Sequence, residues 1–360
     1  MERMALENKI RELRRILHEN PEPSGREEGT KALLMRFIKR NTLLEVEDFD
    51  GGFYALQKTK KEEQPGIVFR AACCAVRTAE DRAEHRFGND GHAAALCALG
   101  LLAGRETFGR DVYYLFETGS DSGRGGRACA QALKGKNISG IYAVRNIPGL
   151  ERGRIALRQG SFCCGKRNLV VRFSGSPADL AYPETGKNPA EALGFLLEGL
   201  PGLCATGQHA FVNQYSVAGV KAGKPGLRAA ADTAEVWISL RSERTADLER
   251  IAGKISERAG GLGLRFGLTV RCDTETDFPA VENTVELMPR LQKLGAYSLL
   301  KTPMRWDDDF GWLLKNFRGA MLGIGAGTET PALGTADYQY PDALLLPTAE
   351  LCKRLIGQTL

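Results

Sequence analysis

The chain has 360 residues, 43% of them hydrophobic and 26% charged, a globular balance that can bury a sizeable core in one large or two ordinary domains. Its net charge of +5 is mild, and the lysines and arginines are scattered rather than gathered into a basic run with interleaved aromatics, which argues against a nucleic-acid partner. No apolar run approaches the ~20 residues of a membrane span, and Met1 to Asn20 is amphipathic and charged rather than a basic segment followed by an apolar one, so we expect a soluble, cytoplasmic protein with no membrane partner.

In chain order, Ile10, Leu13, Ile16 and Leu17 recur at helical spacing within Glu7 to His18, and Pro21 and Pro23 end that helix. Leu33, Leu34, Phe37 and Ile38 mark a second helix over Arg26 to Lys39. Phe53 to Lys58 and Gly66 to Arg70 read as strands. The polar stretch Glu84 to His92 then runs straight into Ala93 to Leu102, a helix apolar on most faces. A loop feeding a buried helix after a strand is where ligands collect in an open α/β sheet. Asp111 to Phe116 is a strand that leads through the glycine-rich loop Glu117 to Gly123 into a helix over Gly126 to Leu133, and Ile138 to Val144 is another strand. This alternation predicts a mostly parallel sheet covered by helices.

From about Lys166 the order becomes strand (Asn168 to Phe173), helix (Pro189 to Leu200), two strands (Asn213 to Val220, Ala234 to Arg241), helix (Ala246 to Ala259) and strand (Gly263 to Cys272). That βαββαβ order is the split ferredoxin-like unit. A helix over Asn283 to Lys293, a strand over Met321 to Gly327 and a closing helix over Ala343 to Ile356 return to the first sheet. We therefore expect a two-domain α/β protein, with residues 1–165 and 280–360 forming the sheet domain and 166–279 an inserted ferredoxin-like domain. The nine cysteines are odd in number and lack C-x-x-C spacing, which reads as reduced core thiols rather than a disulfide framework or zinc ribbon.

Phe87-Gly88-Asn89-Asp90-Gly91-His92, standing before an alanine-rich helix, resembles the M20 metallopeptidases, specifically the amidohydrolase branch with hippurate and auxin-conjugate hydrolases, whose turn reads Cys-Gly-His-Asp-Gly-His. Leu13 to Glu22 is similar to the opening of the same proteins, and Asp307-Asp308-Asp309-Phe310 resembles their Ser-Glu-Asp-Phe. Arg70 to Ala75 stands where they have Arg-Ala-Asp-Met-Asp-Ala, so Ala72 and Cys74 replace two acidic residues. The resemblance implies cleavage of amide bonds by two divalent ions such as Mn, Zn or Ni, and an insert that serves as lid and dimerisation domain. It also implies metal ligands at Phe87, Asn89, Asp121, Arg145 and Gly334 or Thr335, with the general base at Ser120. Of these side chains only Asp121 is a credible donor, and one carboxylate cannot hold two hydrated cations.

We therefore expect no metal cofactor and no working family base at Ser120. Arg70, Arg77, Arg86, Arg124 and Arg145 gather along the loops that would line the cleft; each alone reads equally as a surface arginine, yet a guanidinium can replace part of a lost metal's charge and grip a carboxylate. The expected ligand is a small carboxylate-bearing molecule (an amino acid, N-acyl amino acid or short peptide) met by Arg145, Asp121, Asn89, His92 and Arg70. Arg145 would either pair with Asp121 or stand ready for the ligand. His18 reads as a helix-closing histidine, and His85 and His92 as structural histidines flanking the turn. The pairs Cys73-Cys74 and Cys163-Cys164 would point to opposite strand faces, and no spacing supports Cys74 or Ser120 as a new nucleophile. Two rival readings are an active amidohydrolase or peptidase with a rebuilt site, and a regulatory or scaffold dimer without ligand. In each the insert, 166–279, is expected to join a homodimer.

Overall fold

The computed structural model describes residues 2–59, 64–205, 212–224, 226 and 228–357; Met1, where the amphipathic opening stretch was read to begin, and residues 206–211, 225 and 227, within the range expected as the insert, lie outside them. Helices α1 (Glu2–Glu19) and α2 (Glu28–Asn41) lead to strands β1 (Glu45–Phe49), β2 (Gly52–Gln57) and β3 (Gly66–Ala72). A short hairpin, β4 (Val76–Arg77) and β5 (Ala83–Glu84), precedes α3 (Asn89–Ala103), β6 (Val112–Glu117), α4 (Arg124–Ala132), β7 (Ile138–Pro148), β8 (Ile155–Leu157) and β9 (Ser161–Cys163). The insert follows as β10 (Gly165–Ser174), α5 (Pro189–Cys204), β11 (Asn213–Ala222), β12 (Thr233–Ser242), α6 (Thr245–Phe266) and β13 (Thr269–Phe278). The chain closes with β14 (Val281–Glu282), α7 (Met288–Leu291), β15 (Tyr297–Leu299), α8 (Phe310–Leu314), β16 (Gly319–Gly327) and α9 (Leu345–Ile356).

Two compact units result, one of Met1–Phe162, Val281–Lys301 and Asp308–Leu360, the other of Cys163–Ala280 and Thr302–Asp307. The first holds a sheet in the order β1-β2-β6-β3-β7-β16-β8-β15. Its centre, β6-β3-β7-β16, is parallel, while β1, β2 and β8 join their inner neighbours antiparallel. Every residue of β3 and β6 is buried, as the continuous apolar runs of strands covered on both faces require. In α3 every residue from Asn89 to Gly100 is buried, and this helix packs in one apolar core with α1, α2 and α9. A helix without a polar face has only the protein interior to occupy.

The second unit is an antiparallel sheet in the order β11-β12-β10-β13. Strand β12 alternates buried and half-buried residues, and its inward side chains, with Leu169, Val171 and Phe173 of β10, meet Leu193, Leu196 and Leu200 of α5 and Ile251 and Ile255 of α6. One covered face and one open face is the ordinary arrangement of an antiparallel sheet.

Three local expectations are corrected. The strand expected over Gly263 to Cys272 begins at Thr269, because α6 runs on to Phe266 and turns out through Gly267 at φ +63°. The helix expected over Asn283 to Lys293 is broken into a 3-10 turn (Val285–Leu287), the single turn α7 and another 3-10 turn (Gln292–Leu294). Pro289 lacks the N–H that a continuous helix needs. The helix at the turn starts at Asn89, four residues before Ala93, so Gly88 rather than Asp90 or Gly91 makes the bend.

Candidate functional site

Gly88 sits at φ +78° immediately before α3, a left-handed conformation that glycine adopts without steric cost. The turn it makes aims the first residues of α3 at the carboxyl ends of β3 and β7. Asn89 is buried; its Nδ2 donates to the carbonyl oxygen of Cys74 at 2.8 Å, and its Oδ1 accepts from Arg145 Nη1 at 2.6 Å. The buried Asp90 is met by His18 Nδ1 at 2.8 Å and Arg14 Nη1 at 3.2 Å, so His18 ties the end of α1 to the start of α3. His85 is buried with its ring 6.3 Å from that of His18, and burial holds its imidazole below the ordinary range. His92 Nδ1 lies 3.1 Å from Arg145 Nη1. Burial, then the Arg145 charge, holds His92 down to about 3, so the imidazole is neutral, accepts at Nδ1 and carries its proton on Nε2.

Arg145, in β7, donates from Nε to Asp308 Oδ2 at 2.8 Å, and its Nη2 reaches the same oxygen. The other oxygen of Asp308 accepts from Arg70 Nη1 at 3.0 Å and from the Phe310 N–H at 2.9 Å. Arg70 also holds Glu117 Oε2 and Asp309 Oδ1, each at 2.5 Å, and Asp309 Oδ2 accepts the Gly126 N–H at 2.8 Å. Burial would raise the Asp308 carboxyl, but the guanidiniums of Arg145 and Arg70 hold it below its ordinary value. Burial and the adjacent Glu117 push Asp309 well up. Two guanidiniums, Arg70 and Arg145, thus meet three carboxyl groups, those of Glu117, Asp308 and Asp309.

Five of the positions singled out in the sequence are thus placed as follows. Arg145, Asn89 and His92 come together. Arg70 is one step behind, reaching Arg145 only through Asp308, and its side chain is 2% exposed and wrapped by three carboxylates; the expectation that it meets a ligand directly is corrected by that enclosure. Asp121 is exposed, with its carboxylate 3.7 Å from Cys74 Sγ and its N–H on Ser24 Oγ at 3.0 Å. Asp308, in a run of three aspartates, grips Arg145, a carboxylate beyond the two partners expected for it, Asp121 or a ligand. The other loop arginines stay outside the cluster: Arg77 pairs with Asp81 and Arg86 with Glu84, and Arg124 is exposed.

Around this cluster the implied metal positions hold few donors. Phe87 and Gly334 adjoin, since a Cβ on Gly334 would lie 3.3 Å from Phe87 Cζ. An aromatic ring against a glycine therefore fills the place implied for a thiolate and an imidazole. Ser120, at the implied base position, is buried with its Oγ 2.8 Å from Cys74 Sγ. Burial, reinforced by Asp121, raises Cys74 well above a normal thiol, which disfavours the nucleophilic thiolate. Cys73, its neighbour, faces the apolar core instead. Among the described residues no group of three or more His, Cys, Asp or Glu side chains could hold a metal ion.

No protein-family model matches the chain. It is nevertheless similar to N-acetyldiaminopimelate deacetylase of Shouchella clausii, 23% identical with 95% of this chain and 94% of that protein covered. N-acetylcysteine deacetylase of Bacillus subtilis is 21% identical, with 94% and 92% covered. Among solved structures, a dinuclear metal-binding peptidase of the M20 family from Bacillus subtilis matches with a TM-score of 0.80 at 19% identity, over 98% of both chains. The chain shares the fold of that M20 peptidase. An aminohydrolase structure from methicillin-resistant Staphylococcus aureus shares the fold at a TM-score of 0.89 and 19% identity, covering 98% of this chain and 96% of that one. The mixed α/β architecture of the chain, with its large sheet covered by helices, agrees with the fold class expected from element order. Among the described residues no helix is long and apolar enough to cross a membrane.

Proposed function

We propose that this chain is an M20 amidohydrolase-like protein, of the branch with hippurate and auxin-conjugate hydrolases, that has lost the di-metal hydrolytic centre and binds a small carboxylate-bearing molecule without cleaving it. The observation that carries this reading is the Arg145 guanidinium, bound to Asp308 and Asn89, at a position where the family resemblance implies a metal ligand. A fixed cation there opposes a second cation by Coulomb repulsion, and the residues at the other implied positions do not fit two divalent ions. The buried Cys74 thiol, whose ionisation is disfavoured by that burial, argues against a rebuilt thiol mechanism. The ligand class follows from the relatives named above, whose names specify N-acetylated amino acids. Arg145 would take the ligand carboxylate, with Asn89, His92 and Asp121 beside it, and Arg70 would hold Asp308. A cytoplasmic homodimer joined through residues 166–279 completes the proposal.

The names of the relatives favour a second reading, an active deacetylase. One experiment separates the two: elemental analysis of the purified protein, with N-acetylcysteine offered as both substrate and ligand. Our reading expects no stoichiometric Mn, Zn or Ni, no chelator-sensitive release of acetate, and a rise in melting temperature with N-acetylcysteine, as any ligand selective for the folded state produces. About one or more metal ions per chain with chelator-sensitive turnover would establish the second reading instead.

A further inference from the structure

Asp308 does not offer Arg145 the best partner a guanidinium can have. Both Nε and Nη2 of Arg145 converge on the single oxygen Oδ2, because Oδ1 is committed to Arg70 and to the Phe310 N–H. A free carboxylate can present two oxygens to two parallel N–H groups, the geometry that makes arginine–carboxylate pairs strong and directional. The two partners also differ in freedom. The Asp308 side chain is fully buried, whereas that of Arg145 is 13% exposed.

Resting on the reading above, we infer that Asp308 is a resident stand-in for the ligand's carboxylate, and that a ligand binds by drawing the Arg145 fork off Asp308. Asp308 would keep Arg70 and the Phe310 N–H throughout, so its charge stays paired while Arg145 moves. Asn89 Oδ1 and His92 Nδ1 accept from Nη1 on the far side of the guanidinium, and this anchors one end of the fork while Nε and Nη2 exchange partners. The neutral His92 adds no charge that would compete for the anion. The site so described selects monocarboxylates over their amides, since a neutral amide cannot displace a charged carboxylate from a guanidinium. It sets affinity by competition within the protein, so weakening the internal competitor should tighten binding.

The test uses N-acetylglycine and its neutral analogue N-acetylglycinamide as probes in calorimetric titrations of the full chain. Asp308→Asn removes the competing charge while keeping the shape, and N-acetylglycine should bind it about tenfold or more tighter than it binds the wild type, a difference of ~1.4 kcal/mol. Arg145→Gln should abolish binding, and N-acetylglycinamide should bind neither protein. Unchanged or weaker binding to a folded Asp308→Asn, with the wild type still binding, overturns the stand-in while leaving carboxylate binding intact. Failure of every form to bind either probe overturns both. Because Asp308 joins two arginines and its variant can fail to fold, the side-chain 15Nε resonance of Arg145, assigned by its loss in Arg145→Gln, is followed in the wild type during titration. It should shift on adding N-acetylglycine while the Arg70 resonance stays in place; a stationary Arg145 signal at saturation counts against the exchange.

Discussion

Arg70 and Arg145 lie on the adjacent strands β3 and β7 and share one carboxylate, Asp308, yet burial gives them different work. Arg70 is enclosed by Glu117, Asp308 and Asp309 and serves the cluster itself, while Arg145 keeps an edge toward solvent. Because Arg145→Ala would leave Asp308 with Arg70 and the Phe310 N–H but one guanidinium fewer, we expect a loss of ~1–3 kcal/mol in urea unfolding, short of the ~3–5 kcal/mol of a buried charge left without a partner. A loss near zero would show the pair to be solvent-screened. His92 supplies a pH dependence. Its folded-state value is held to about 3, against an ordinary ~6.5 in the unfolded chain. The unfolded state therefore binds the extra proton first, and His92 contributes stability that is present above pH ~6.5 and falls as pH drops from ~6.5 toward 3, by up to ~1.4 kcal/mol per pH unit. His92→Gln should flatten the stability curve between about pH 6.5 and 5 relative to the wild type, and parallel curves would show that His92 does not titrate there.

At the scale of elements, the start of α3 is sensitive to added volume. A Cβ on Gly91 would come within 2.1 Å of Tyr340 Cγ, so Gly91→Ala must push the helix start away from the segment before α9. Overpacking of this kind costs ~1–3 kcal/mol, which a thermal melt should register as a drop of several degrees. Gly194, within α5, is the matched control. Nothing lies within 4 Å of its added Cβ, and Gly194→Ala should be neutral or stabilising by up to ~1 kcal/mol, because alanine favours a helix interior. Equal melting shifts for the two variants would remove the packing explanation.

At the scale of the whole molecule, the absence of a metal-holding donor set among the described residues predicts that stability owes nothing to a divalent ion. Treatment with EDTA should leave the melting temperature unchanged, whereas a fall of several degrees would reveal a bound metal that contributes to the folded state. Light scattering at micromolar concentration should give twice the mass of one chain if the insert pairs as proposed. Its sheet has free edges at β11 and β13, and unpaired edges invite strand pairing; a monomeric mass would remove that part of the proposal.

How much of this could be read without coordinates depended on whether the signal was local. The central strands, α3 and the βαββαβ order of the insert were legible, since period, turn residues and apolar runs are properties of neighbouring positions. The break at Pro289 and the overrun of α6 to Phe266 were missed because a mostly helical pattern hides where backbone bonds end. At the site, the sequence by itself determined which side chains stand at the implied metal positions: a ring at Phe87, an amide at Asn89, a guanidinium at Arg145. Only the tertiary structure decided that Asp308 takes Arg145, that Arg70 is sealed behind it, and that Phe87 adjoins Gly334. Those partners lie 163 and 239 residues apart for Arg145–Asp308 and Arg70–Asp309, and no local pattern chooses among dozens of carboxylates at such separations. The choice is made when the sheet brings strand ends together and burial forces each charge to find a partner.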